Sequence, residues 1–371
     1  MSRLERFQDS MESVYGRFSS VPDVTKWTPP PRSGGHRGRY LWTDAFGVLN
    51  FLTLYKELSL VPETKPAAND FLIFGQRLIF TVHNVLGRTR DGLARLPGAT
   101  DQEPLKGGLR IGKEQEHGPD GDGQYHHYLT LWMFALNRMS MATGDPSYNR
   151  QAVSLAKAIH PHFFLNRTSE RPHMVWKVSM DLSRALVASE GNLDPIDGYV
   201  VFRLLQASAS KYGDGIVLEE EIDDYKKVMA RKGDHFLSRD PLDLGMTLWT
   251  AHWLTGREKW ASELTNKCVT QLRDLFDEHH FLETDLEFRL AFREFGTCLG
   301  IGCSLSGAKS NDEMKRLETR SQEIIDQWEK YISTALTPDD LKPITRVMYS
   351  TALIPGAFHI RYFGDEPIAK S

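Results

Sequence analysis

Apolar and polar positions along the chain repeat with helical spacing, and the helical segments come in pairs. Residues 40–58 are apolar almost all round, as a helix enclosed on several sides must be, and 67–86 follow as a helix with one polar side. The couplet recurs at 124–143 and 147–163, at 174–189 and 195–211, at 241–255 and 258–279, and at 285–303 and 311–335, the first member apolar and the second amphipathic or charged. A last apolar segment, 340–362, and an amphipathic first one, 2–18, bring each kind to six. Strand signals are nearly absent. Two junctions share their chemistry: Thr143-Gly144-Asp145-Pro146 and Thr255-Gly256-Arg257-Glu258 each put glycine where a helix C-terminus wants positive φ, ahead of an aromatic (Tyr148, Trp260) in the next helix.

Six apolar and six amphipathic helices predict an all-α chain forming one domain over 1–371, an (α/α)6 toroid with the apolar helices inside and the first helix completing the outer layer beside the last inner one. Two stretches fall outside the repeat. Residues 19–39 are rich in Pro, Gly and Arg, and 87–123 form a long glycine- and charge-rich segment expected to lie over the mouth of the toroid and to be dispensable for folding. The periodicity and the glycine junctions resemble the six-hairpin glycosidase-like (α/α)6-barrel superfamily, and Trp42-Thr43-Asp44-Ala45-Phe46 is similar to the helix-opening aromatic segment of unsaturated glucuronyl hydrolases, with Asp-Ala where those carry glycines. The resemblance implies a funnel lined by inner helices and a carbohydrate-active enzyme, in the first place a glycoside hydrolase.

Composition narrows the alternatives. The chain is 40% apolar with 45 Lys and Arg against 49 Asp and Glu, a net charge of -4, so it folds and lacks the basic field a nucleic-acid binder needs. Cys268, Cys298 and Cys303 are odd in number and lack C-x-x-C spacing, no apolar run approaches 18 residues, and no secretory h-region opens the chain; a soluble, cytoplasmic protein without membrane partner is expected. H-E-x-x-H, P-loop and G-x-S-x-G motifs are absent, Gly107-Gly108-Leu109-Arg110-Ile111-Gly112 lacks dinucleotide-binding spacing, and no metal or cofactor is expected. The expected partner is a small molecule or an oligosaccharide, and oligomeric state is not legible.

Polar residues within the apolar segments are the candidates for chemistry. Asp44 opens the first inner helix, either lining the funnel or capping the helix. Asp122, Tyr125, His126 and His127 cluster at the entry to the second, beside Trp132. Trp176, Lys177 and Asp181 stand on the third, the last two spaced i,i+4. Asp243 and Trp249 belong to the fourth, and Arg293 with Glu294 interrupts the fifth, a costly place for charge unless paired or facing a cavity. In a hydrolase, Asp44 with Asp122 or Asp243 would be the acid and its partner carboxylate; in a sugar epimerase, His126 or His127 with His252 would move the proton. Trp42, Tyr125, Trp132, Trp176 and Trp249 would stack on sugar faces, with Lys177 and Arg293 binding polar groups. A cyclase or isomerase of an apolar substrate and a non-catalytic scaffold are the remaining readings. Because all inner helices of such a toroid run the same way, Asp44 and the Asp122/His126/His127 cluster are expected to share one cavity.

Overall fold

The computed structural model describes residues 1–118, 120–232, 238–305, 312–332, 337–366 and 368. Residues 311 and 333–335 of the last expected outer helix lie outside them. Twelve α-helices occur among the described residues: α1 (Arg3–Tyr15), α2 (Leu41–Ser59), α3 (Lys65–Val85), α4 (His126–Thr143), α5 (Pro146–Phe163), α6 (Asp194–Lys211), α7 (Glu219–Lys232), α8 (Pro241–His252), α9 (Lys259–Arg273), α10 (Ala291–Leu305), α11 (Asp312–Glu329) and α12 (Lys342–Leu353). They divide between two compact units, Tyr15–Gly233 with Phe363–Ser371, and Met1–Val14 with Asp234–Tyr362.

In the larger unit, α2, α4 and α6 pack side by side, each against the helix that follows it. Burial follows the expected alternation, since α2 and α4 are closed off through most of their length whereas α3 and α5 bury one face. Local chemistry sets the junctions. Gly144 ends α4 at φ 74°, and Asp145 caps α5 by accepting a bond from the Ser147 amide at 2.8 Å.

The third couplet departs from expectation. Residues 174–189 are not a helix; they contain β3 (His173–Met174), β4 (Lys177–Val178) and a turn in which Leu182 takes φ 62°. β3 pairs antiparallel with β2 (Phe164–Leu165), and β4 with β1 (Gln124–Tyr125), Gln124 opposite Val178 and Tyr125 opposite Lys177. The apolar run Met174-Val175-Trp176 is β-branched and aromatic, and short ladders satisfy its backbone. The third enclosed helix is instead α6, which the sequence pattern assigns to the outer layer. Its polar residues mask its burial: Ser208 accepts from Asn137 at 2.8 Å, and Gln206 accepts from the Val217 and Leu218 amides at 2.7 and 2.8 Å. The charged α7, left without an element in the sequence pattern, is its outer partner, with its own Tyr225 fully buried.

In the smaller unit, α8 and α10 approach until glycine is obligatory. A Cβ on Gly300 would lie 2.0 Å from the Gly245 carbonyl oxygen, and one on Gly245 2.2 Å from that of Gly296. On the other face of α10 stands α12, and α1 joins it through Ser10, whose hydroxyl donates to the Arg346 carbonyl at 2.9 Å, so the first helix does flank the last apolar one.

Segment 87–123 carries no helix among the described residues, yet it is not a detachable loop. Leu105, Leu109, Arg110 and Ile111 are all 1% exposed or less. The Ile111 carbonyl accepts the Leu41 amide at 2.9 Å, filling a donor left open at the start of α2. The outer part of the segment, with residues 179–186, lines a cleft of about 490 Å³ that includes Glu116, His117, Asp181 and Arg184.

Candidate functional site

The first turns of α2, α4 and α6 come together in the larger unit. From α2 and the residue before it come Trp42 and Tyr40; from β1 and α4 come Tyr125, His126, His127 and Tyr128; from α6 comes Asp194. Tyr128 is the hinge of an aromatic cluster, with ring centres 4.9 Å from Trp42, 5.1 Å from Tyr125 and 4.7 Å from His127, and its hydroxyl bonded to that of Tyr40 at 2.8 Å. Trp176 extends the cluster at 5.1 Å from Tyr125. Tyr40, His127, Tyr128 and Trp176 are partly exposed, and Trp42 is 4% exposed with an indole N–H that has no partner.

Asp194 ties this cluster to the interior. Its Oδ1 lies 3.2 Å from His126 Nδ1 and 3.7 Å from His127 Nδ1. Burial by itself would raise the Asp194 carboxyl, but the two imidazoles outweigh it and hold the group well below the ordinary carboxylate range. The two histidines then diverge, as neighbours on a helix must. His126 is completely buried, with Nε2 bonded to the Tyr225 hydroxyl at 2.7 Å, whereas His127 keeps 23% of its side chain exposed among the aromatic rings.

The other expected site residues are placed as follows. Asp44 is wholly buried, and its Oδ1 accepts from Ser33 at 2.5 Å, Tyr15 at 3.1 Å and Arg39 at 3.3 Å. Burial pushes its carboxyl up against the pull of Arg39. Asp122 is the anchor of segment 87–123, accepting from Arg110 at 2.6 Å, Arg90 at 2.8 Å and the Gly112, Gly123 and Lys113 amides at 2.9, 3.0 and 3.3 Å. These partner sets do not overlap with those of His126 and His127.

Lys177 donates to the Gly121 carbonyl at 2.8 Å and stands 5.1 Å from the centre of the Tyr125 ring, while Asp181 accepts from Ser179 and Ser183. The helical Lys177–Asp181 pair therefore does not form, because the residues lie in β4 and its turn. Trp132 is fully buried and donates to His83 at 3.1 Å, and Trp249 is 2% exposed against Phe358, which makes both part of the core. Asp243 belongs to the first turn of α8, where Asp240 accepts its amide at 3.2 Å; Arg293 pairs with Asp240, and Glu294 with Arg289. The buried Glu294 is paired with Arg289, and Arg293 is partly open to solvent and paired with Asp240, so neither charge in α10 is left uncompensated.

Asp194 is the residue that sequence reasoning passed over. The signal for Asp194 was present: Asp194-Pro195 directly before a helix, with Asp197 one turn on.

No family model matches the chain, and no curated protein matches it in sequence. Solved structures do. An inactive variant of an α-1,6-mannanase of glycoside hydrolase family 76 from Salegentibacter sp. HEL1_6, in complex with α-1,6-mannotriose, aligns at TM-score 0.55 and 10% identity over 94% of this chain and 97% of its own. A family 76 α-mannanase from Bacteroides thetaiotaomicron aligns at 0.55 and 10% over 95% and 94%, and a family 76 mannosidase from Bacteroides thetaiotaomicron VPI-5482 at 0.54 and 12% over 96% and 97%. The chain therefore has a six-hairpin glycosidase-like fold, the (α/α)6 barrel. No helix among the described residues is long and apolar enough to cross a membrane.

Proposed function

We propose that the aromatic cluster at the first turns of α2, α4 and α6 binds a carbohydrate and that His127, backed by Asp194, is its acid/base group, making the protein a carbohydrate-active enzyme of the glycoside hydrolase-like kind. One observation carries the reading: a partly exposed imidazole among Trp42, Tyr125 and Tyr128 has a buried carboxylate 3.7 Å behind its Nδ1. The carboxylate faces Nδ1 and leaves Nε2 as the nitrogen remote from it, the arrangement for handing a proton to a leaving glycosidic oxygen and taking one back from water. Aromatic faces suit the C–H faces of a sugar ring, and the unpartnered Trp42 N–H can donate to a hydroxyl. Three helix N-termini add partial positive charge, which suits a hydroxyl-rich or anionic ligand.

Asp44 and Asp122 serve in this reading as braces of the pocket, since Arg39 and the Arg90/Arg110 pair neutralise them. The mannanase from Salegentibacter was inactivated by replacing two consecutive aspartates. Here the corresponding residue types are Asp223-Asp224, held by Lys226 and by His160, Arg167 and Lys227, and Asp339-Asp340, whose first member pairs with Lys342. This difference favours a second reading, His-based proton transfer at a sugar carbon, because the partly exposed titrating group is an imidazole and not a carboxylate pair.

The test is release of reducing sugar from α-1,6-mannooligosaccharides and a wider glycoside panel, run beside deuterium uptake from D2O into free sugars. His127→Gln is expected to lower kcat by about 10²–10⁴-fold with unchanged circular dichroism, and Trp176→Ala to raise KM. Deuterium uptake without hydrolysis would select epimerisation. Full activity in His127→Gln would end both readings.

A further inference from the structure

We propose that His252, Cys303 and His359 form a metal site that holds a thiolate-preferring divalent cation such as Zn²⁺. One ligand atom of each lies within 4.8 Å of the others. The three come from separate places in the smaller unit: His252 is the last residue of α8, Cys303 lies in the last turn of α10, and His359 follows the short turn Gly356–Phe358 after α12. Chance would have to bring together the two best nitrogen ligands and a thiol from three segments that have only this corner in common.

The donor set decides the class of ion. Two imidazoles and one thiolate select Zn²⁺, Co²⁺ or copper over Mg²⁺ and Ca²⁺, which want oxygen. Zn–N bonds of about 2.0 Å and Zn–S bonds of about 2.3 Å require ligand atoms about 3.3–3.6 Å apart in a tetrahedron, so binding draws the three inward by about 1 Å. His252 is already oriented by a neighbour. Its Nδ1 faces the Trp249 carbonyl, an acceptor, so Nδ1 carries the proton and Nε2 the lone pair, as metal-ligating histidines are usually set up by an outer hydrogen bond. That lone pair accepts the Ile360 amide at 3.2 Å, a bond the ion would displace.

The surroundings support a cation. α8 ends here, and a helix C-terminus carries partial negative charge. A fourth position is left for water or an exogenous ligand. Since the site joins the ends of α8 and α10 to the segment after α12, its role is that of a clamp on the C-terminal part of this unit.

The full-length protein, stripped with chelator, is titrated with Co²⁺ and Zn²⁺. The expected result is about one equivalent bound, a near-ultraviolet thiolate-to-cobalt band with visible bands of tetrahedral intensity, and a Tm raised by about 3 °C or more in excess Zn²⁺. Cys303→Ser should abolish the thiolate band, and His359→Gln should weaken binding by at least about tenfold. Cys268→Ser, at a buried thiol on α9, should leave both unchanged. If Cys303→Ser fails to fold, the thiolate band of the wild type and its displacement to at least about tenfold higher Co²⁺ in His359→Gln still decide. No stoichiometric binding by the wild type, or a cobalt spectrum without thiolate character, overturns the proposal.

Discussion

The carboxylate of Asp194, on the first turn of α6, stands 3.7 Å from Nδ1 of His127, on the first turn of α4. A buried acid and a partly exposed base are thereby joined across two parallel members of the repeat, and the same carboxylate reaches His126 at 3.2 Å. From His126 the contacts continue inward to Tyr225, so the site is connected to the packing of α7.

The Asp194 carboxyl is more acidic folded than unfolded, because the imidazoles overcome the burial that opposes them. A depressed carboxyl contributes stability that is complete above its unfolded value and lost as pH falls through the folded one. Asp194→Asn is therefore expected to cost about 3 kcal/mol near neutral pH, with the deficit shrinking below about pH 4. Urea unfolding of both proteins across pH measures it, and a deficit that widens on acidification would contradict the assignment.

Asp44 and Arg39 test whether the first candidate acid is a brace. Each is buried, so removing either leaves the other without its charge partner, at a cost of about 3–5 kcal/mol. The double variant Asp44→Asn/Arg39→Met is expected to lose less than the sum, with a coupling of at least about 1 kcal/mol in a double-mutant cycle. Additive losses, or loss of turnover without loss of stability in Asp44→Asn, would return Asp44 to catalysis.

Asp122 gathers two guanidinium groups and three backbone amides, and five donors would lose an acceptor by its removal. Asp122→Ala is expected to lower Tm by roughly 10 °C. Deleting 95–118 should unfold the larger unit for the same reason, since it takes out buried Leu105, Leu109 and Ile111. A deletion variant with a native-like melting transition would restore the view of this segment as a separable lid.

Gly198 is where α6 admits the Tyr225 ring. An added methyl would lie 2.2 Å from the ring's Cε1 and Cζ atoms, so Gly198→Ala must shift Tyr225 away from His126. Overpacking of this kind costs about 1–3 kcal/mol, read by chemical denaturation, and the proposed activity should fall with it. Stability within about 0.5 kcal/mol of wild type would mean the ring has room to move.

Much of the architecture is written in local chemistry. Helical periodicity, glycine at the end of α4, and the alternation of enclosed and one-sided helices determine an all-α chain of couplets, because 3.6-residue spacing and positive φ are properties of short segments. Which helix is enclosed is not such a property. Segment 174–189 looked buried because it is apolar, and it became strands and turn; α6 looked exposed because it carries Asp, Arg, Gln and Ser, and it is buried with Ser208 bonded to Asn137, Gln206 to the Val217 and Leu218 amides, Arg203 to Tyr199, and Asp194 facing His126. Asp44 and Asp122 were chemically plausible acids by residue type alone. Only the tertiary structure brought Arg39 to one and Arg90 and Arg110 to the other, and left His127 with Asp194 behind it, since pairing partners 5 to 67 residues apart in sequence are chosen by packing and not by periodicity.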